Sequence, residues 1–554
     1  EDINGKIVLP TLHAPTFSVE IHKLSMKERS GFRLNKLSAF VTGNQDSVTV
    51  RQLKILLPQT QLHIAGASVR SSIDRLLKGQ TEAPLAIQIE PSQISLRDLS
   101  AFVPAFQHAS EPFRLSASAS GTVDNLTINN LTVTQGRTLS LKAQMNLKNI
   151  RHPKKSYLFG KVSSLQLASE NLGRLIHNFQ ETPVSLPAPI NRLGMIRFTG
   201  EISGFIDQLV AFGKLSSNIG SLEMDLLVGQ QKEHRSATYL KGKIASSELD
   251  IAPLFNENSP YGKVQFNAEL DASKPANGAF SGTVQAKIDR FEYEKYTYAN
   301  ISLSGGFRPK EFNGTIRIDD PNGKLHAEGL FKSNGEQSEF NFSATLEHFR
   351  PDKLHLTEKY DSPELSFQVN SNITGNHIDN FQGQITIDNL SFLTRTDTFL
   401  LNTAHIQASG ISSERKLTVY SDLLNGEVTG SCSFTHLLPS LVNLIRPYLP
   451  SLSTTFPPST SIGIDSYSFT INIENTERLS KALKLPVALL APSRIFGHYD
   501  NPNGRFHLNA SLPRFEVSQS IFENGSVVLN NPNGAMEAEI RATQLQQKGS
   551  RNQI

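Results

Sequence analysis

The sequence predicts an all-β protein with a few short helices, built as an elongated antiparallel curled sheet with a hydrophobic interior. Three observations lead there. Segments that alternate apolar and polar residues return almost throughout the 554 residues, the period-2 signature of strands with one dry face and one wet face. Clusters of Gly, Pro, Asn and Asp punctuate them. Segments with helical spacing are few and short. A sheet buried on both faces would instead show continuous Val/Ile/Leu runs.

The first clear strands lie in "PTFSVEIHKLSMKERSGFRLNKLSAFVTG" (15–43), where Phe17, Val19 and Ile21 alternate with Ser18, Glu20 and His22. Phe32 and Leu34 resume the alternation after Ser30-Gly31. Further strands are expected at 47–57, 60–69, 264–272, 299–307, 338–349, 365–373 and 466–475. In "VQFNAEL", Val264, Phe266, Ala268 and Leu270 share one phase; in "EFNFSATL", Phe340, Phe342, Ala344 and Leu346 do. Helices are expected at 71–79, 95–106, 169–179, 436–449 and 477–485. The apolar segment 436–449, with Pro439, Pro447 and nearby Pro450, suits a plug over a sheet end, or alternatively a lid or membrane-surface contact.

Turns repeat in kind. "DDPNG" (319–323), "DNPNG" (500–504) and "NNPNG" (530–534) each precede an alternating segment. Proline pre-sets a turn φ while Asn and Gly tolerate positive φ, so each predicts a hairpin link. "GTVDNLTINNLTV" (121–133) and "GQITIDNLSFL" (383–393) share a second phrase. The irregular periods read as degenerate antiparallel meanders.

Composition excludes several classes. The 54 basic and 51 acidic residues are interspersed and give a net charge of +3, which leaves no electrostatic footprint for nucleic acid. The single cysteine, Cys432, excludes an intrachain disulfide framework and a Cys-cluster metal site. Its alternation with Phe434 marks it as a small core residue. No apolar run approaches the roughly 18 residues of a membrane span. The chain starts within a strand-like pattern, which suggests an excised or processed product.

Catalytic and cofactor signatures are missing, so neither an enzyme nor a cofactor is expected. "SERK" (413–416) matches S-x-x-K without its companion motifs and sits before a strand. His22, His63, His326 and His507 fall on the polar phase, where a solvated histidine is expected. Asp319-Asp320 could form a carboxylate pair or bind calcium, but before Pro-Asn-Gly they are expected to shape a turn. Asn125, Asn300 and Asn524 open glycosylation sequons that matter only in a glycosylating host.

One-sided strands must bury their apolar face. Stacked sandwiches would need turn-bounded blocks of roughly 100 residues, and a β-helix would favour short parallel strands at a fixed period. Long antiparallel strands with a Phe/Leu/Ile-rich phase fit a trough better. Such a trough dissolves acyl chains, at roughly 0.8 kcal/mol per buried CH₂.

"FSVEIHKLSMKERSGFRLNKLSAFV", with "VTVRQLKILLPQTQLHIAGASV" and "QISLRDLSAFVPAF" after it, resembles the middle of TamB-like proteins of the AsmA-like superfamily. The Lys-Glu-Arg-Ser-Gly turn and the Ile-Ser-Leu-x-Asp-Leu helix start carry the resemblance over residues 10–110. It implies a β-taco, or repeating β-groove, in the periplasm of a bacterial envelope. The full protein would be anchored in the inner membrane by a helix absent from this chain. It also implies phospholipid as ligand and an Omp85-type outer-membrane protein as partner.

The expectation is a non-enzymatic periplasmic conduit that shields acyl chains between the two membranes. Expected groove-lining residues are Phe17, Val19, Ile21, Val264, Phe266, Leu270, Phe340, Phe342, Leu346, Leu365, Phe367, Val369, Ile385, Ile387, Phe469 and Ile471. The competing reading makes them ordinary core. An alternative function is an envelope assembly scaffold that recruits strands at its edges; a weaker one is a β-helical polysaccharide-active enzyme. The expected organisation is a meander over 1–110, groove repeats over 111–435, a helical plug with further strands over 436–542, and a polar tail over 543–554.

Overall fold

In a computed structural model the described residues are 2–547, apart from 78–81, 178–187, 231–237, 436–465 and breaks of one to three residues elsewhere. The fold is nearly all β and antiparallel. Contacts divide the chain into two compact units, Glu1–Gly282 with Ile288–Tyr293, and Thr283–Lys287 with Glu294–Ile554. The division thus falls in the strand Ser281–Tyr293, and the boundaries expected at 110 and 435 lie inside the units.

The first unit is a meander. From Asp2–His13 to Tyr261–Lys274, each strand pairs antiparallel with the next along the chain. The second unit continues in the same manner from Tyr296–Arg308 to Ser466–Ile473. There the order changes. Ser466–Ile473 pairs with Ser493–Asp500, and the intervening Val487–Leu489 pairs with Arg505–Val517. Among the described residues no pairing joins the first strand of either unit to its last, so each sheet is open.

The expected strands all form, three of them longer than the sequence pattern marks: 264–272 becomes Tyr261–Lys274, 299–307 becomes Tyr296–Arg308 and 365–373 becomes Glu364–Thr374. Helices shrink to Ile73–Leu77, the 3₁₀ turn Leu96–Leu99, Leu172–His177 and Glu477–Leu483. The expected plug 436–449 lies outside the described residues. Within the expected polar tail 543–554, Gln544–Gln547 forms a short strand paired with Ser520–Glu523, and 548–554 lie outside the described residues.

The two motifs behind the resemblance have local physical reasons. The Lys27–Arg33 pair closes the Lys-Glu-Arg-Ser-Gly turn, with Gly31 at φ 93°. At Ser95 the 3₁₀ turn docks on the loop before Gln61, where the Asp98 carboxylate accepts the Gln59 N–H at 2.9 Å and Thr60 Oγ1 accepts the Ser95 N–H at 2.9 Å.

The Asx-Pro-Asn-Gly turns all link antiparallel strands, but they are not equivalent. Asp320 pairs with Gly323 across a tight loop, whereas Asp500 pairs with Arg505 and Asn530 with Glu537. Asp319 and Asp320 do shape the first turn. Asp320 is 3% exposed and accepts hydrogen bonds from the Tyr296 hydroxyl (2.5 Å) and the Ala299 and Asn322 N–H groups (2.9 Å each). Asp319 pairs with Lys324 at 3.0 Å. The shared "DNL" phrase also diverges: Asp124-Asn125 sits at a strand start, while Asn389 sits mid-strand at φ 54°.

Candidate functional site: a continuous apolar sheet face

Directly opposed residues of an antiparallel pair share a face, so the registers assemble the site from the alternation. In the first unit one cross-strand row runs Val19–Val41–Val50–Ala67–Ile87–Ala119–Ile128–Met145. It continues Gly160–Ile202–Ala211–Leu226–Gly242–Leu270. No polar side chain interrupts it. In the second unit Phe307–Phe312–Phe331–Phe340–Ile373 leads through Gly383, Ala408, Leu417 and Val428 to Phe469. Several strands break register on the way, as between Leu346 and Phe349, yet the apolar phase is kept on both sides. Each break is a bulge that inserts residues without flipping the face.

The face is half-covered. Val19, Val41, Val50, Ile87, Ile202, Leu226 and Leu270 are all intermediate in exposure, as are Phe340 and Ile385. Closed packing is confined to patches. One gathers Ala143, Val162 and Phe198, another Ile219, Leu249 and Val264. In the second unit Cys432, Phe434, Tyr467, Phe469, Tyr499 and Phe506 form a third. A second layer across the whole face would bury every member of the rows.

Glycines let rings lie flat on this face. Gly305, Gly314 and Gly329 stand in one row with Phe342. A Cβ on Gly314 would come within 2.9 Å of the Phe312 ring, and one on Gly329 within 2.5 Å of Phe342 Cα. Phe342 stacks on Phe331 with centroids 4.8 Å apart.

Most of the expected lining residues fall on these faces. Phe17, Val19 and Ile21 oppose Gly43, Val41 and Ala39. Phe340, Phe342 and Leu346 share a face with Leu365, Phe367 and Val369, and Ile385, Ile387 and Ile471 extend it. Phe266 packs beside the Val264 patch and Leu270 lies in the first unit's row. Two belong to closed core instead: Val264 is 9% exposed and Phe469 is 7% exposed, each sealed by the cluster around it. Cys432 is buried as expected, although the strand ends at Ser431.

The wet face carries exposed ion pairs, such as Lys241–Asp271 at 2.7 Å and Lys263–Glu248 at 2.6 Å. Hydrogen bonding to the partner carboxylate raises both ammonium pKa values. Such exposed pairs add little stability. Of the four histidines expected to be solvated, His326 differs: its side chain is half-buried and its Nδ1 is buried with no hydrogen-bond partner.

Sequence reasoning missed the depressions on the wet face. Two in the second unit measure about 620 and 610 Å³ and one in the first about 410 Å³. The available signal was Asn and Ser at the polar-phase positions Asn341, Ser343, Asn370 and Asn372.

Among the described residues, no group of three or more His, Cys, Asp or Glu is placed to hold a metal ion, and no helix is long and apolar enough to cross a membrane. Comparison with family models, with curated proteins and with solved structures finds no match.

Proposed function

We propose that this chain is a non-enzymatic lipid-conduit segment whose apolar sheet faces shield phospholipid acyl chains, working in the periplasm between inner and outer membranes. One observation carries the reading. In each unit an unbroken apolar row crosses strand after strand while most of its members stay half-exposed. Large contiguous apolar surface normally marks an interaction site, and an acyl chain is the ligand that needs no polar partner along its length. At roughly 0.8 kcal/mol per buried CH₂, a sixteen-carbon chain lying on the face gains on the order of 10 kcal/mol before ordering costs. The resemblance of residues 10–110 to TamB-like proteins supports the same assignment.

The test is photo-crosslinking in cells with a benzophenone amino acid, followed by mass spectrometry of the purified chain. Positions Phe342 and Ile385 lie on the apolar face, Ser343 and Thr386 on the opposite one. Phospholipid adducts at the first pair and none at the second are expected. Folded protein without adducts at Phe342 and Ile385 would sink the proposal.

A further inference from the structure

We infer that the wet face of the second unit is a binding surface for a neutral oligosaccharide. The 620 Å³ depression there is lined by Asn341, Ser343, Asn370, Asn372, Gln384 and Thr386, with Glu328 its one ionisable side chain. The depression on the first unit's wet face is different in kind, lined by Lys214, Glu223, Asp225 and Lys243. Solvated strand faces ordinarily carry charges of both signs, so the amide-rich patch is a departure that ordinary solubility does not explain.

The register makes the patch continuous. Asn341 opposes Asn372, which opposes Gln384; Ser343 opposes Asn370, then Thr386, His405 and Tyr420. Asn341, Asn370, Asn372 and Gln384 are exposed, and among the described residues no hydrogen bond engages their side-chain amides. Each amide is both donor and acceptor, the property that sugar hydroxyls match and that a phosphate or carboxylate, needing donors alone, does not. Where the row reaches Tyr420 the phenol is 65% exposed and borders the 610 Å³ depression with Asn425, Ser468 and Asn472. An exposed aromatic beside amides and hydroxyls offers the apolar C–H face of a sugar ring a surface while its hydroxyls are hydrogen-bonded.

The experiment titrates the full chain with maltoheptaose, cellohexaose and chitohexaose by isothermal calorimetry. Saturable binding of at least one is expected. Affinity should fall about tenfold or more in Asn341→Ala/Asn372→Ala and in Tyr420→Ala, with circular dichroism and thermal melting unchanged. Asn372→Asp, which keeps the shape and the acceptor but removes the donor, should weaken binding in the same direction. Failure of all three sugars to bind overturns the inference, and so does binding that the variants leave undiminished. Phospholipid crosslinking at Ile385, on the apolar face and outside the lining of the depression, should be indifferent to these substitutions, so this inference and the conduit proposal stand or fall separately.

Discussion

At Gly329 the sheet has no room for a side chain. The residue sits at φ 137°, and a Cβ would meet the backbone of Phe342. Gly329→Val should therefore cost roughly 1–3 kcal/mol, read as a lower urea midpoint. An unchanged midpoint would mean that the neighbouring strand yields freely. Asp320 carries a comparable weight for a different reason. Its buried carboxylate gathers the Tyr296 hydroxyl and two backbone N–H groups, and burial with that hydrogen bond pushes the Tyr296 pKa up. Asp320→Ala would strand those donors, and a loss of roughly 2–4 kcal/mol is expected by denaturant unfolding. The Asp319-Asp320 pair was legible as a turn from Pro-Asn-Gly alone. That only Asp320 is buried depends on Tyr296 arriving from another strand, which no local pattern encodes.

Among the elements, the link between the 3₁₀ turn Ile378–Asn380 and the segment after Ser431 rests on one carboxylate. Asp379 accepts hydrogen bonds from Thr435 Oγ1 (2.6 Å) and Ser433 Oγ (3.0 Å), and Arg415 lies 3.6 Å away. Burial opposes its ionisation, but the hydrogen bonds from Thr435 and Ser433 outweigh it and hold its pKa below the ordinary 3.8. A carboxyl depressed in the folded state contributes stability that is present above its unfolded pKa and is lost as pH falls through the folded value. Stability measured in urea should therefore drop from pH 7 to pH 3, and Asp379→Asn should drop less. Equal losses in both proteins would remove Asp379 from the account. Alternation made the strands legible where they keep one dry phase, as Tyr261–Lys274 and Glu339–Phe349 do. It could not place the bulges: Gln52, Asn300, His348 and Asn389 take positive φ inside strands with nothing in their own windows to mark them. The unit division was hidden for a related reason, since it falls within the strand Ser281–Tyr293, where no Gly/Pro/Asn turn cluster marks a boundary.

For the whole molecule, charge and apolar surface make separable demands on a lipid ligand. A net charge of +3 spread over 54 basic and 51 acidic residues provides no field to select anionic headgroups. The conduit reading places the interaction on faces whose rows hold no charged side chain in either unit. Apolar association is not screened by salt, whereas attraction between exposed charges separated by more than about 10 Å is largely lost at 0.1 M ionic strength. Capture of a fluorescent phospholipid by the purified chain should therefore be nearly equal from phosphatidylcholine and phosphatidylglycerol vesicles. It should change by less than about twofold between 0.05 M and 0.5 M sodium chloride. Strong preference for the anionic vesicle, together with release at high salt, would place the contact on the wet-face lysines and arginines. The apolar rows would then be structural faces awaiting another cover. Salt-independent capture that is lost when Leu226→Glu or Phe340→Glu puts a charge in a row would tie the lipid to the faces on which the strands agree.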